Sequence, residues 1–233
     1  KVLQNVISTC RSAMNLLEDP YIQQVTAFDT IDFASLRKKK TVIFIQNRTS
    51  DMKYYAPITA LFFEQLFSQV MTEFPEKGDK SIFFLIDEAS ELKLPSLQAA
   101  ISNVRKYSAG ICLCLQYFGQ LKSQYDIHIA ESIRANAFAQ VYLPNQPLDT
   151  CRELSALLGT FEYIDDEDRE KSRVLMTPDE IRTIADDRAI LLVGARRAIF
   201  ARMVPYYKQS KFRAYSDIPA PMPDNKLPFA EPP

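Results

Sequence analysis

Tryptophan is absent from these 233 residues, histidine occurs once, and glycine only five times. Each scarcity removes a class of function. His128 alone, beside four cysteines (Cys10, Cys112, Cys114 and Cys151) that form no CxxC pair, offers no ligand set for a structural zinc. Cys112 and Cys114 alternate on an apolar run, the pattern of packed, reduced thiols in a cytosolic compartment. The five glycines (Gly78, Gly110, Gly119, Gly159, Gly194) are too scattered for a G-x-x-x-x-G-K-[ST] loop, whose backbone N–H groups and lysine wrap phosphates. No apolar run approaches the roughly 20 residues that span a bilayer, and no signal peptide opens the chain. A net charge of −1 excludes the basic footprint of a stand-alone DNA-binding domain.

What is present is an alternation of apolar strands and amphipathic helices. Residues 1–18 carry apolar residues at helical spacing and stop at Pro20. "SLRKKK" leads into an expected strand, Thr41–Gln46, and residues 55–73 read as a long apolar helix. "SIFFLIDEAS" follows: residues 82–86 are apolar without a break, which predicts a strand buried on both faces. A helix is expected from Pro95, in the N1 position, through the "RKYS" segment. The strand "GICLCLQ" ends in Gln116, and "FGQLKSQY" and residues 129–136 read as helices. "AFAQVYLP" is a strand, and "PLDTCRELSALLG" a helix closed by Gly159. "FEYIDDEDRE" is an acidic interlude in which "IDDEDRE" reads as a surface loop, Thr177-Pro178 opens a capped helix, and "AILLVG" and "AIFARMV" close as a hairpin or edge pair. From about Lys208 the chain reads as an extended or disordered proline-rich tail, with Tyr206 and Tyr207 packed at the domain edge. Strands alternating with helices predict an α/β fold on a parallel sheet.

In such a sheet ligands sit beyond the carboxyl ends of the strands. Two adjacent carboxylates there, Asp87 and Glu88, make electrostatic sense around a hard divalent cation and a reacting water. Gln116, ending the neighbouring strand, is placed to sense a γ-phosphate.

Read in order, "FFLIDEASELKLPSLQAAISNVRKYSAGICLCLQYFGQLKSQYD" resembles the TraG/TraD-type coupling proteins of type IV secretion and conjugation systems. In that family a strand ends in the Asp-Glu pair of a Walker B motif, a helix carries Arg-Lys-Tyr, and a further strand ends in Gln before a Gln-Leu segment. "SRVLMTPDEIRTIADDRAILLVGARRAIFARMVPYY" resembles its closing block, so the likeness spans about residues 40–207. The resemblance implies a RecA-like P-loop NTPase fold, a three-layer parallel sheet flanked by helices, here without its P-loop strand. It implies residues 1–40 as the end of a helical insertion and connector, 41–207 as the C-terminal part of the ATPase domain, and 208–233 as a tail. ATP and Mg²⁺ are the implied cofactors. Asp87 would order Mg²⁺ through water, Glu88 would be the catalytic carboxylate, Gln116 the γ-phosphate sensor and Arg105 an arginine finger reaching a neighbouring subunit. The implied assembly is a homo-hexamer at the cytoplasmic face of the bacterial inner membrane, attached through a segment upstream of this chain. Its implied partners are secretion-channel subunits and a DNA–relaxase complex, protein effectors or their adaptors.

Two departures shape the expectation. The phosphate loop is missing and the chain opens in "KVLQNVISTC" without an initiator Met, which implies a C-terminal part of a longer protein, inactive by itself. "RKYSAG" also places Ser108-Ala109 where the family often has Gly directly, which bears on where Arg105 points. Two other readings share the motifs: a non-hydrolysing scaffold that recruits effectors, and a DNA translocase of the FtsK/HerA type.

Overall fold

The computed structural model describes residues 3, 4, 6, 14–29 and 31–219 of the chain, which divide at Cys114/Leu115 into two units. Most of the helix expected over residues 1–18, Cys10, and the proline-rich stretch from residue 220 onward lie outside the described residues.

The first unit is organised by one long helix and one parallel strand pair. A 3-10 turn at Asn15–Glu18 runs into helix α1 (Pro20–Thr26), where Asp19 accepts from the N–H groups of Tyr21 and Ile22 and Pro20 stands at N1. Helix α2 spans Met52–Val70 and tolerates Pro57 in its interior. Strand β1 (Ile82–Ile86) pairs in parallel with β2 (Ala109–Leu113), Ile82 opposite Ala109 and Ile86 opposite Leu113. Between them lie helix α3 (Leu97–Asn103) and a 3-10 turn, Val104–Tyr107. Pro95 therefore precedes the helix by two residues rather than opening it. The α2 face presents Phe63 and Phe67 to Phe84 of β1, the Phe67–Phe84 rings meeting edge-on at 4.9 Å.

Three expectations fail in this unit, each over a partner distant in sequence. Thr41–Gln46 forms no strand: no ladder partner reaches it, and Val42 and Phe44 are exposed. A strand is defined by its pairing as much as by its residues. The segment is instead tethered at its start, where Lys80 N–H donates to the Arg37 carbonyl and Lys38 pairs with Asp79 (2.9 Å) and Glu76 (3.2 Å). Strand β1 is buried on one face only. Phe84, packed on Phe63 and Phe67 of α2, and Ile86 are buried, whereas Phe83 and Leu85 stand 81% and 71% exposed. Phe83 lies across Gly110 of β2, where a Cβ would meet its ring at 3.0 Å. Cys112 and Cys114 are likewise exposed rather than packed; the buried thiol is Cys151, in the second unit.

The second unit begins with helices α4 (Phe118–Gln124) and α5 (Ile127–Asn136), then β3 (Ala139–Tyr142) and α6 (Leu148–Leu158). Gly159, at φ 77°, ends α6 as expected. The expected surface loop lies at residues 165–169, as the turn of a hairpin, β4 (Thr160–Ile164) against β5 (Glu170–Val174). Its acids are answered across the turn: Asp165 pairs with Lys171 (2.5 Å) and Arg169 (3.3 Å) and accepts the N–H groups of Glu167 and Arg169. Helix α7 (Pro178–Arg182) opens with a reciprocal capping box between Thr177 and Glu180. Strands β6 (Arg188–Val193) and β7 (Ile199–Arg202) form the expected hairpin, and β3 joins β6 antiparallel, in the order β3-β6-β7. The α/β alternation thus carries parallel pairing at β1–β2, while the short β6–β7 connection forces antiparallel pairing here. Past Tyr206–Lys208, a 3-10 turn, the chain continues as helix α8 (Ser210–Ser216) instead of an extended tail up to that point. Tyr206 and Tyr207 are exposed, not packed. Among the described residues, no helix is long and apolar enough to cross a membrane.

Candidate active site

Strand β1 stops abruptly because its inner face is pinned by α2 and its continuation turns. Ile86 is the last buried residue; Asp87 and Glu88 follow as exposed turn residues, and Ala89 is buried again. Glu88 occupies the left-handed region, φ 52° and ψ 47°. For a residue with a Cβ that conformation costs about 1–2 kcal/mol, a strain of the kind kept where a side chain must be aimed. Two bonds hold the turn against the end of β2: Cys114 N–H donates to the Ile86 carbonyl at 2.9 Å, and Ala89 N–H donates to the Cys114 carbonyl at 3.0 Å. The Glu88 N–H donates to Asp87 Oδ1 at 3.2 Å. Neither carboxylate enters an ion pair among the described residues. Partial burial of the Cys114 sulfur, then Cys112 and the nearby Asp87 carboxylate, push that thiol up, so it remains protonated beside the acid pair.

This donor set fits Mg²⁺. The cation takes oxygen ligands, keeps several waters, and is commonly bound through one or two carboxylates together with substrate phosphates. No cluster of three or more metal-ligating side chains occurs among the described residues.

Arg105 lies in the same unit, exposed on the 3-10 turn that follows α3 rather than on the helix itself. Val104, buried, anchors the turn from below. Tyr107 stacks flat on Phe74, centroids 4.9 Å apart and planes within 8°. Ser108 closes the turn in the left-handed region, φ 49°, a conformation that glycine adopts without strain. Ser108→Gly is expected to raise stability by about 0.5–1 kcal/mol, the left-handed strain relieved minus the extra entropy of glycine. A urea midpoint that does not rise would show that the turn accommodates serine freely.

Gln116 opens the second unit, three residues past the end of β2 rather than at the end of a strand. It is exposed, and its backbone N–H donates to Gln120 Oε1 at 2.9 Å; Tyr117 N–H reaches the same oxygen at 3.5 Å. Gln120 thereby sets the backbone of Gln116, while the next residue of α4, Leu121, is buried. The structure brings Asp87 and Glu88 together and holds Arg105 in the same unit.

The family profile described as "Type IV secretory system Conjugative DNA transfer" matches residues 3–226. The chain belongs to this family. It is 25% identical over 231 residues to the protein VirD4 of Rhizobium radiobacter, covering 90% of this chain and 34% of that protein. It spans, then, about a third of the curated relative's length. The bacterial conjugative coupling protein TrwB, in an unbound form, superimposes with a TM-score of 0.73 at 19% identity, over 86% of this chain and 49% of that one. TrwB in complex with ADP and Mg²⁺ gives 0.61 at 23% identity, over 69% and 39%. The chain has the RecA-like α/β fold of these coupling proteins.

Against that family pattern, sequence reasoning missed three supporting residues. Gln120 falls at the third position of α4, where a side chain folding back on the entering backbone is a recognised cap, so its role was findable. Glu64 on α2 accepts the Ser96 N–H at 3.0 Å, fixing the start of α3. Phe74 supplies the stacking partner for Tyr107. Neither of the last two carries a local signal.

Proposed function

We propose that the protein of which this chain is part is a type IV secretion coupling ATPase. It would use hydrolysis to deliver DNA–relaxase or protein effector substrates to the secretion channel. One observation carries this reading: a parallel strand of a coupling-protein fold ends in two exposed, unpaired carboxylates held in a strained turn.

Asp87 positions the metal-bound water shell. Glu88, aimed outward by its left-handed backbone, orients the attacking water and accepts its proton. Gln116, its backbone set by Gln120, serves as γ-phosphate sensor. Arg105 completes the site of an adjacent subunit in a homo-hexamer. Asp87 would hold Mg²⁺ through water, and the cation would supply positive charge against the charge developing on the phosphate. That TrwB has been captured with ADP and Mg²⁺ supports the cofactor pair. No G-x-x-x-x-G-K-[ST] occurs in this chain, so phosphate binding is assigned to the rest of the full-length protein, and the isolated chain to an inactive state. Residues 41–207 make up the C-terminal part of the motor domain, between a connector (1–40) and a tail (208–233). Membrane attachment, at the cytoplasmic face of the inner membrane, is assigned to another segment of the protein.

In the full-length protein, Glu88→Gln is expected to lower ATP turnover by about 10²–10⁴-fold, the contribution of a general base, with nucleotide affinity unchanged. Turnover near wild type in that variant would remove Glu88 from the mechanism and favour a scaffold.

A further inference from the structure

We propose that the segment from Tyr206 to Tyr215 is a contact track for single-stranded nucleic acid. The inference rests on the DNA-transfer reading above and assigns it a surface distant in sequence from the acid pair.

Charge is segregated along this chain to a degree its net value conceals. The stretch "RAILLVGARRAIFARMVPYYKQSKFRAYS", residues 188–216, carries seven Lys or Arg and no Asp or Glu, in a chain whose net charge is −1. Within it, aromatic and basic residues interleave: Tyr206, Tyr207 and Lys208, then Lys211, Phe212 and Tyr215. The structure puts the rings in solvent. Tyr206 and Tyr207 are each 58% exposed, Phe212 47% and Tyr215 61%. The first two rings meet edge to face at 5.6 Å, so their planes face different directions. Lys208 and Lys211 have no acidic partner among the described residues, unlike Arg202, which pairs with Asp187 at 3.0 Å, and Arg213, which pairs with Asp217 at 3.8 Å.

Exposed rings beside unpaired cations match one ligand chemistry in both parts. Phosphates neutralise the lysines, and every base has a face to stack on an aromatic ring, which makes such surfaces tolerant of sequence. An acidic peptide would satisfy the cations and leave the rings idle. A membrane surface would call for a continuous apolar face, which seven-residue α8, carrying Lys211 and Arg213, does not provide.

The test measures fluorescence anisotropy of a labelled oligothymidine with the full-length protein across a salt series. The paired variants are Tyr206→Ala/Tyr207→Ala, Phe212→Ala/Tyr215→Ala and Lys208→Ala/Lys211→Ala. Each aromatic pair is expected to weaken binding about tenfold or more. The lysine pair should lower the slope of log affinity against log salt by about 1.4. ATP turnover without DNA serves as the control and should not move. Should an aromatic variant fail to fold, Lys208→Glu/Lys211→Glu keeps the test decisive, since both side chains are exposed. Wild-type affinity and slope in these variants overturn the inference alone. No oligonucleotide binding by the wild-type protein overturns the DNA-transfer reading with it. Variants that lose binding to acidic peptides or anionic vesicles, and not to DNA, assign the segment to a protein or membrane partner and overturn it too.

Discussion

Mixing Glu88→Gln subunits with Arg105→Ala subunits will restore ATP turnover that neither variant shows alone. Removing an arginine that reaches a transferring phosphoryl group costs about 10³–10⁵-fold in related NTPases, so each pure variant should be close to inactive. In a ring built from head-to-tail interfaces, the site of an Arg105→Ala subunit still holds Glu88. Its neighbour, a Glu88→Gln subunit, still supplies Arg105. With random mixing and independent sites, roughly a quarter of the interfaces are then fully equipped. Within its own unit Arg105 is exposed on a short turn, between a buried Val104 and a Tyr107 stacked on Phe74. A mixture no more active than its components would place Arg105 in its own subunit's site, or outside the reaction.

Leu154→Ala will destabilise the second unit by about 3–5 kcal/mol. Leu154 is completely buried on α6 in a cluster with Cys151, Ile181 of α7 and Ile190 of β6, flanked by Tyr142, Leu158, Met176 and Leu192. One leucine thus joins two helices to the central strand of the β3-β6-β7 sheet. Ser155 beside it donates to the Met176 carbonyl at 2.6 Å, holding the incoming chain so that little can collapse into the space left. Transfer and cavity costs therefore add. Leu157, on the same helix but 51% exposed, is the control and should cost under about 1 kcal/mol on replacement by alanine. Urea unfolding checks both, and equal small losses would mean that the cluster is not the core of this unit.

Local chemistry explains what was legible beforehand. The capping box at Thr177 and Glu180, the glycine that ends α6, and the apolar run that stops at Asp87-Glu88 each depend on neighbours within a few residues. So do the helices α2, α4, α5 and α6, and the closing β6–β7 hairpin. The acid pair, Gln116 and Arg105 were all singled out from their order along the chain, and Asp87, Glu88 and Arg105 share one unit of the structure.

Other features depended on partners distant in sequence. Apolarity in Ile82–Ile86 says that burial is favourable, not what supplies it; Phe63 and Phe67 of α2 pack on Phe84, and nothing among the described residues covers Phe83 or Leu85 to the same degree. Thr41–Gln46 has strand-forming residues and no ladder to join. The strands on either side of the acidic loop were not legible, because Thr160–Ile164 and Glu170–Val174 exist only through their mutual pairing. Gln120 reaching Gln116 and Glu64 reaching Ser96 are likewise matters of approach in space. By itself, then, the sequence carried the ordered motifs that resemble the family, and it determined the acid pair at a strand's end and most helices, because short-range periodicity and capping are local. Strand pairing, the exposed face of β1 and the aim of Glu88 were decided by tertiary structure, because each requires a hydrogen-bond or packing partner from elsewhere in the chain.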